Sequence, residues 1–147
     1  MLVKVNNGVH WPEVIAAAIS HYAEKLGISQ SSFSVTVISK TIKKHGGMCV
    51  YKNLGESIPE FVIYLSNTIN QTYYFEVLAH EMVHVRQYLT KQITFKTAKE
   101  NNGKSYLQEY YKGVRTDNIP YKNKPCEQQA LRLQRKLLFS FLQSAAI

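Results

Sequence analysis

The chain has 147 residues, of which 45% are hydrophobic and 19% charged, so its composition indicates a globular protein with a core and excludes wholesale disorder. No linker or repeat divides the chain, and residues 1–147 are interpreted as a single domain. The net charge of +8 is uneven, since residues 1–85 hold six basic and six acidic side chains whereas residues 86–147 hold twelve and four.

The first part of the chain predicts one helix followed by three strands. Apolar residues recur at helical spacing over residues 12–26, and Gly27 is a plausible stop. Residues 33–40, FSVTVISK, alternate as a strand does, and KHGG at residues 44–47 is a turn signal before a second strand, MCVYKN. The third strand is FVIYLS, residues 61–66. These strands are expected to form an antiparallel meander, and so a small, mostly antiparallel sheet.

A long helix is predicted next, over about residues 72–89. His80 and His84 lie on one side of its helical wheel, with Gln87 near them. The opposite side is apolar and predicts a core face, made of Phe75, Leu78, Met82, Val85 and Leu89.

Residues 90–125 are polar and basic, and they predict a long loop in which Leu107, Tyr110, Tyr111 and Val114 indicate one short helix. A final helix is predicted from Pro125 to about residue 142. Its apolar stripe comprises Ala130, Leu131, Leu137, Leu138 and Phe141. Glu127 projects from this stripe, and a buried carboxylate is costly unless it is paired or bound to a metal ion.

The pentapeptide HEMVH, residues 80–84, has the spacing of a metal site. Residues four apart on a helix lie one turn apart on the same face, so His80 and His84 can bind one Zn²⁺ ion. Glu81 is rotated by about 100° from His80, which disfavours it as a ligand but lets it reach a water molecule at the metal. In that position it can act as a general base.

The third ligand can be approached by elimination. A catalytic zinc ion usually has three protein ligands and one open position. No histidine follows His84, which leaves the downstream carboxylates Glu100, Glu109, Asp117 and Glu127. Glu127 alone projects from a helix face expected to point inward, and it is the preferred candidate. An ion pair of Glu127 with Arg86 or Arg132 is the alternative.

Other candidates for metal ligands are weaker. Cys49 lies upstream of HEMVH, as the cysteine ligand of peptide deformylases does, but its surroundings, GGMCVYKN, indicate a strand and a small apolar role. His10, His21 and His45 lack metal-ligand spacing and are interpreted as surface residues or residues with hydrogen-bond partners.

The stretch LAHEMVHVRQY, followed by Tyr121 and then PCEQQA at residues 125–130, resembles the short SprT-like zinc metallopeptidases, many of which bacteria and phages encode. In these proteins HExxHxxQ precedes Y-x-x-x-P-x-E-x-E-A, whose first glutamate completes the zinc site. By position His80 and His84 match the histidine ligands, Glu81 the general base and Glu127 the glutamate ligand. The chain departs from the pattern at Cys126 and Gln129, where an aromatic residue and a second glutamate are common.

The resemblance implies an α+β, zincin-like fold of the gluzincin type. It has an N-terminal helix, a small sheet over the HExxH helix and a C-terminal helix that carries the third ligand. An edge strand would pair with an extended protein or peptide substrate, and residues 61–66 are the strand nominated for it. Glu81 would pass the water proton to the leaving amine. Tyr121 would stabilise the oxyanion, with Tyr110 and Tyr111 as alternatives.

Three functions are compatible with these residues. The first is a zinc endopeptidase, and the second is a non-catalytic, zinc-stabilised binding or structural protein that is phage- or DNA-associated. The third is a peptidase that acts with nucleic acid, because the basic C-terminal half indicates either an anionic polymer as partner or merely a basic surface. Glu81 favours catalysis, since a structural zinc site does not require it.

The compartment is inferred from what the sequence contains. No signal-peptide pattern opens the chain, and its longest apolar run, residues 14–19, is too short to span a bilayer. Cys49 and Cys126 form no disulfide framework. We expect a cytoplasmic protein of a bacterial or phage-infected cell that is not bound to a membrane, with virion association as the alternative.

Overall fold

The computed structural model describes residues 1–52 and 57–145, apart from the side chains of residues 71 and 72. Helices and two small sheets alternate along the chain, so the fold is α+β, as expected. In chain order the elements are β1 (Leu2–Val5), α1 (Pro12–Lys25), β2 (Ser34–Lys40), β3 (Gly47–Lys52), β4 (Glu60–Ser66), α2 (Gln71–Leu89), β5 (Ile93–Lys99), β6 (Ser105–Tyr111), β7 (Val114–Arg115), a 3₁₀ turn (Tyr121–Asn123) and α3 (Pro125–Ala145).

The first sheet has four strands in the order β1-β2-β4-β3. β1 and β4 both run parallel to β2, and only β3 is antiparallel to its neighbour. The predicted antiparallel meander, and with it the mostly antiparallel sheet, is therefore wrong for this sheet. Alternation shows where a strand forms but not which strand it joins, and here β4 inserts between β2 and β3.

The central position of β4 has a cause in its sequence. FVIYLS is apolar at nearly every position, as is usual for a strand covered on both faces. Phe61, Val62, Ile63 and Leu65 are all buried. Because β4 pairs with strands on both sides, the nomination of residues 61–66 as the substrate-binding edge is wrong. The edge strands are β1, which was not expected from the sequence, and β3.

The helices match their predicted positions closely. α1 ends near Gly27, whose φ of 74° gives the left-handed conformation common after a helix. α2 starts after Asn70, whose side chain accepts a hydrogen bond from the main-chain N–H of Tyr73. α3 begins at Pro125, as predicted.

The core lies between one face of the first sheet and the helices. Leu78, Met82 and Val85 of α2 are fully buried, as the helical wheel predicted. They pack with Ile15 and Ile19 of α1 and with alternate residues of β2 and β4. α3 packs against α2 and adds Ala130, Leu137 and Phe141 to this core, whereas Leu131 of the predicted stripe is exposed.

The second predicted strand reaches residue 53, which lies outside the described residues.

Residues 93–115 form a second sheet, an antiparallel ribbon of β5, β6 and β7. The predicted long loop with a short helix is therefore wrong. Two turns close the ribbon, and each contains a glycine with positive φ, Gly103 and Gly113. Lys112 also has a positive φ, so Lys112 and Gly113 form a two-residue hairpin turn of the type that matches the twist of the strands.

Among the described residues, no helix combines the length and the apolar character that crossing a membrane requires.

Candidate metal centre

Two histidines of α2 and one glutamate of α3 meet at a single point. His84 Nε2 lies 2.8 Å from Glu127 Oε1 and 3.2 Å from His80 Nε2, and His80 Nε2 lies 3.4 Å from Glu127 Oε1. Ligand atoms that surround a Zn²⁺ ion tetrahedrally at about 2.0–2.1 Å lie about 3.3 Å from one another. The three atoms thus have the spacing of three ligands of one metal ion. In the described part of the chain they are the one group of this kind.

A chain of hydrogen bonds through Gln87 determines which ring nitrogen of His84 carries the lone pair. The Gln87 amide N–H groups donate to the main-chain carbonyl of Cys126 at 3.0 Å and to Gln129 Oε1 at 2.8 Å. Gln87 Oε1 therefore faces His84 Nδ1, 2.7 Å away, and can only accept. Because Nδ1 must donate, the neutral ring of His84 carries its lone pair on Nε2, which points at the metal centre.

Gln134 determines in the same way which ring nitrogen of His80 carries the lone pair. Its amide nitrogen donates to Glu76 Oε1 at 2.9 Å, so its oxygen accepts from His80 Nδ1 at 2.8 Å. Arg135 also donates to Glu76 Oε1, at 3.1 Å, and holds that carboxylate in place. Both histidines thus present Nε2 lone pairs to the same point, as metal-binding histidines do.

The carboxylate of Glu127 completes the cluster. Its side chain is 3% exposed, and Oε2 is buried without a hydrogen-bond partner among the described residues. Two imidazole lone pairs and a carboxylate oxygen within 3.4 Å repel one another unless a cation lies between them. The donor set, two histidines and one carboxylate, suits Zn²⁺. The residues therefore fit a zinc ion.

The competing carboxylates are outside the group of three metal-binding atoms. Glu109 accepts from Lys124 at 3.0 Å and from Thr116, and Asp117 is paired with Arg115. Glu100 is exposed in the turn between β5 and β6. In the described part of the chain the charged partners of Glu127 are the two histidines, and neither Arg86 nor Arg132 forms an ion pair with it.

Burial and the neighbouring carboxylates determine the charges of the cluster. Burial has the largest single effect and lowers the pKa of His80 and of His84, but the hydrogen bonds to Glu127 and the charge of Glu81 together outweigh it, so the pKa of both imidazoles lies above the usual value. Burial raises the pKa of Glu127, but its hydrogen bonds with the two histidines outweigh this and hold the pKa well below its usual range. The cluster therefore attracts positive charge, either protons or a metal ion.

A cleft passes over this cluster along the free edge of β3. One part of it, of about 280 Å³, lies on the side of His84, and we call it the apolar chamber. The other part, of about 220 Å³, lies on the side of His80, and we call it the polar chamber. The apolar chamber takes its name from the uncharged part of its lining, Ile42, Met48, Cys49, Tyr88, Ile93 and Cys126. The polar chamber is lined by Lys44, Tyr73 and Gln134 among others.

Glu81 lines both chambers. Its side chain is 5% exposed, and burial raises the pKa of its carboxyl group, an effect that the two nearby histidines oppose. None of the described side chains forms a hydrogen bond or ion pair with it. Glu81 is thus a carboxylate that lies beside the candidate metal ligands, lines the cleft and has no partner among the described side chains.

Tyr121 and His45 both line the cleft and contact each other. Tyr121 lines both chambers, and its ring lies 5.2 Å from that of His45, centroid to centroid. Burial and the interaction of its hydroxyl with the Glu127 carboxylate raise the pKa of Tyr121, so the hydroxyl stays protonated and can donate. Tyr110 and Tyr111, the alternatives, donate instead to Gln108 and Gln129. Of the three tyrosines the structure brings Tyr121 to the cluster.

Sequence reasoning missed His45, Gln134 and the role of Gly46 and Gly47. His45 has no metal-ligand spacing, but it lies directly before the two glycines that bring β3 against α2. Gln134 follows Glu127 by seven residues, two helical turns, so helical spacing alone could have placed it on the same face. Cys49 packs against the core and lines the apolar chamber, and it is outside the ligand group.

Comparison with known proteins identifies no relative. No protein-family model matches the chain, and neither a curated protein nor a solved structure matches it significantly. The resemblance to SprT-like peptidases therefore depends on the motif residues themselves.

Proposed function

We propose that this protein is a zinc-dependent endopeptidase of the zincin type, in which His80, His84 and Glu127 hold the ion and Glu81 is the general base. The observation that carries the proposal is the convergence of three metal-binding atoms beside a carboxylate without a partner, in a cleft. A bound zinc ion would supply Lewis acidity, which makes water more acidic and polarises a carbonyl group.

The side chains around the cluster support the remaining steps. Glu81 accepts the proton of the attacking water and returns it to the leaving amine, and its raised pKa makes it a stronger base for the first of these transfers. Tyr121 donates to the oxygen that becomes negative when the carbonyl is attacked. His45 lies against the Tyr121 ring and keeps it over the cleft.

The free edge of β3 indicates how a substrate could bind. Among the described strands β3 pairs with β4 alone, so its outer edge offers free main-chain N–H and C=O groups beside Glu81. We infer that an extended peptide adds to this edge as a further strand, with its scissile bond at the cluster. β3 thus takes the role that the sequence had suggested for β4.

The basic surplus supports an anionic partner. Lys96, Lys99, Lys104 and Lys112 are exposed on the ribbon, away from the ion pairs of Glu109 and Asp117. Their contacts with phosphates would make binding weaken steeply with salt. Nucleic acid therefore belongs in any assay of activity.

The test compares the wild type with Glu81→Gln, and with Glu100→Gln as a matched control on the exposed ribbon turn. Each protein is loaded with zinc and incubated with unfolded proteins at low salt, with and without single-stranded DNA. We expect equal zinc binding by all three, and cleavage that is lower by about 10²- to 10⁴-fold in Glu81→Gln alone. A wild type that binds zinc but cleaves nothing in either condition would instead support the non-catalytic, zinc-stabilised protein.

A further inference from the structure

The far wall of the apolar chamber is a packed hydrophobic cluster. Ile93 at the start of β5 and Cys126 at the start of α3 are both buried, and they pack against Tyr111 and Tyr88. The ring of Tyr88 stacks on that of Tyr51, with centroids 5.0 Å apart. Because these side chains hold one another in place, the wall is preformed and needs no ligand to assemble it.

One end of the chamber carries two charges that cancel. Lys124 Nζ lies 3.0 Å from Glu109 Oε1, and Thr116 Oγ1 donates to the same oxygen at 2.7 Å. Both charged side chains are partly buried and line the chamber. A charged group entering this end of the chamber would lose water and would find Lys124 and Glu109 already paired with each other.

We propose that the apolar chamber binds one uncharged, apolar side chain of the substrate, of the size of leucine, methionine or phenylalanine, next to the bond that is cleaved. This rests on the proposed peptidase function, whose substrate it specifies. The chamber opens on Glu81, His84 and Glu127, so a side chain in it belongs to a residue at the cluster. Its volume of about 280 Å³ lies just below the usual range of ligand pockets and suits a single side chain.

The polar chamber has a different lining from the apolar chamber. Of the two chambers, it alone is lined by Lys44 and Gln134, and it shares His45, Glu81 and Tyr121 with the apolar chamber. The two sides of the scissile bond therefore meet unlike surroundings. Selectivity for an apolar residue is expected on the side of His84 alone.

The experiment measures binding of small hydroxamates to the zinc-loaded protein by calorimetry. Their side groups are methyl, isobutyl, benzyl, aminobutyl and carboxyethyl. We expect the isobutyl and benzyl compounds to bind about tenfold to a hundredfold more tightly than the methyl compound, because each buries an apolar group. The two charged compounds should gain little over methyl.

Two variants of the ion pair give the inference its sharpest test. Lys124→Met leaves Glu109 unneutralised and should improve binding of the aminobutyl compound by about tenfold. Glu109→Gln leaves Lys124 unneutralised and should improve binding of the carboxyethyl compound by a similar factor. A merely structural effect would not produce opposite changes, and thermal melting checks that both variants fold.

The outcomes separate this inference from the proposed function. Equal affinity for the methyl, isobutyl and benzyl compounds would overturn the chamber assignment and leave the zinc site intact. Failure of every hydroxamate to bind to the zinc-loaded protein would also overturn the chamber assignment. If the protein takes up no zinc, the metal-free chain is titrated with N-acetyl-leucinamide and N-acetyl-lysinamide while the methyl resonances of Ile93 are followed. A response to the leucine compound alone supports the chamber, and equal or absent responses refute it.

Discussion

A Cβ atom on Gly47 would lie 2.6 Å from Cγ1 of Val77, so β3 and α2 meet with no room for a side chain between them. A Cβ on Gly46 would lie 2.7 Å from Cγ2 of the same valine. Two successive glycines are therefore what lets the edge strand lie against the helix that carries Glu81. The close approach gives the cleft one wall of free strand edge and one wall of helix.

Replacing Gly47 by alanine should destabilise the protein. The new methyl group would overlap Val77 and would lie 3.0 Å from the main-chain oxygen of Tyr64, which cannot move cheaply. We expect a loss of about 1–3 kcal/mol in the free energy of unfolding, measured by urea denaturation. Gly8→Ala is the comparison, because it has open space and suffers only from its positive φ, at a cost of about 1 kcal/mol. A Gly47→Ala protein as stable as the wild type would contradict the close approach.

Gln87→Leu should weaken zinc binding by about tenfold to a hundredfold. The change leaves His84 Nδ1 and the Cys126 carbonyl without partners, so the ring loses its orientation. Gln134→Leu should have a smaller effect because His80 is less buried than His84. Competition with a chelator measures the affinity. Gln128→Leu, on the exposed side of α3, is the control and should bind zinc as the wild type does.

Tyr121→Phe should lower kcat by about tenfold to a hundredfold and leave zinc affinity unchanged, because it removes one donor to the developing oxyanion. Steady-state kinetics on a quenched peptide gives kcat and KM separately. Tyr110→Phe removes only the hydroxyl that donates to Gln108 and should have no effect. Equal kcat values for the two variants would remove Tyr121 from the proposed mechanism.

The metal-free protein should be more stable near pH 5.5 than near pH 8. The pKa of His80 and of His84 is raised in the folded state. Their contribution to the free energy of unfolding is therefore complete below the pKa of the unfolded state, about 6.5, and is lost as pH rises through the pKa values of the folded state. The raised pKa of Glu81 acts in the same direction. The lowered pKa of Glu127 gives stability that is present above about pH 4.3 and is lost in stronger acid.

Urea unfolding in the presence of a chelator measures this pH dependence. Glu127→Gln is the control and should flatten it, since Glu127 contributes most among the groups that raise the pKa of both histidines. Zinc binding should show the reverse trend and strengthen with pH, because the ion displaces protons. A metal-free protein whose stability rises steadily from pH 5.5 to pH 8 would show that the cluster does not hold protons in this way.

Both cysteines should be unreactive in the folded protein. Burial raises the pKa of Cys126 to about 11, and it raises that of Cys49 well above its usual value. At pH 8 the thiolate fraction, and with it the rate of alkylation by iodoacetamide, should be lower than in a free cysteine peptide by about a hundredfold. Mass spectrometry follows the reaction, and both thiols should react rapidly in urea. Rapid labelling of Cys126 in the native protein would mean that α3 does not start as described.

The parts of the fold that sequence predicted are those decided by local pattern. The ends of α1, α2 and α3 were predicted to within about three residues, because each helix has a stripe of apolar residues, with Gly27 after α1 and Pro125 at the start of α3. Strand pairing was not predicted correctly, because it depends on contacts far apart in the chain. Alternation in β2 is the same whether its neighbour is β3 or β4.

The ribbon was missed although its signals were present. ITFKTAK and SYLQEYY each have strand character, and NNG and KG are hairpin turns. The high content of lysine and asparagine outweighed them in the interpretation. At the site, His80, Glu81, His84 and Glu127 could be singled out by residue type and spacing. His45 could not, since it reaches the cleft only through the packing of β3 on α2.

Seven consecutive residues, 121–127, supply Tyr121, Lys124, Cys126 and Glu127. They therefore contribute a hydroxyl over the cleft, one half of an ion pair, a wall of the apolar chamber and one of the proposed metal ligands. The histidines, by contrast, sit in the middle of a helix packed into the core. A substitution that shifts this short segment would change substrate choice, chemistry and metal affinity together, so natural variants of the site are expected to alter these properties jointly and not one at a time.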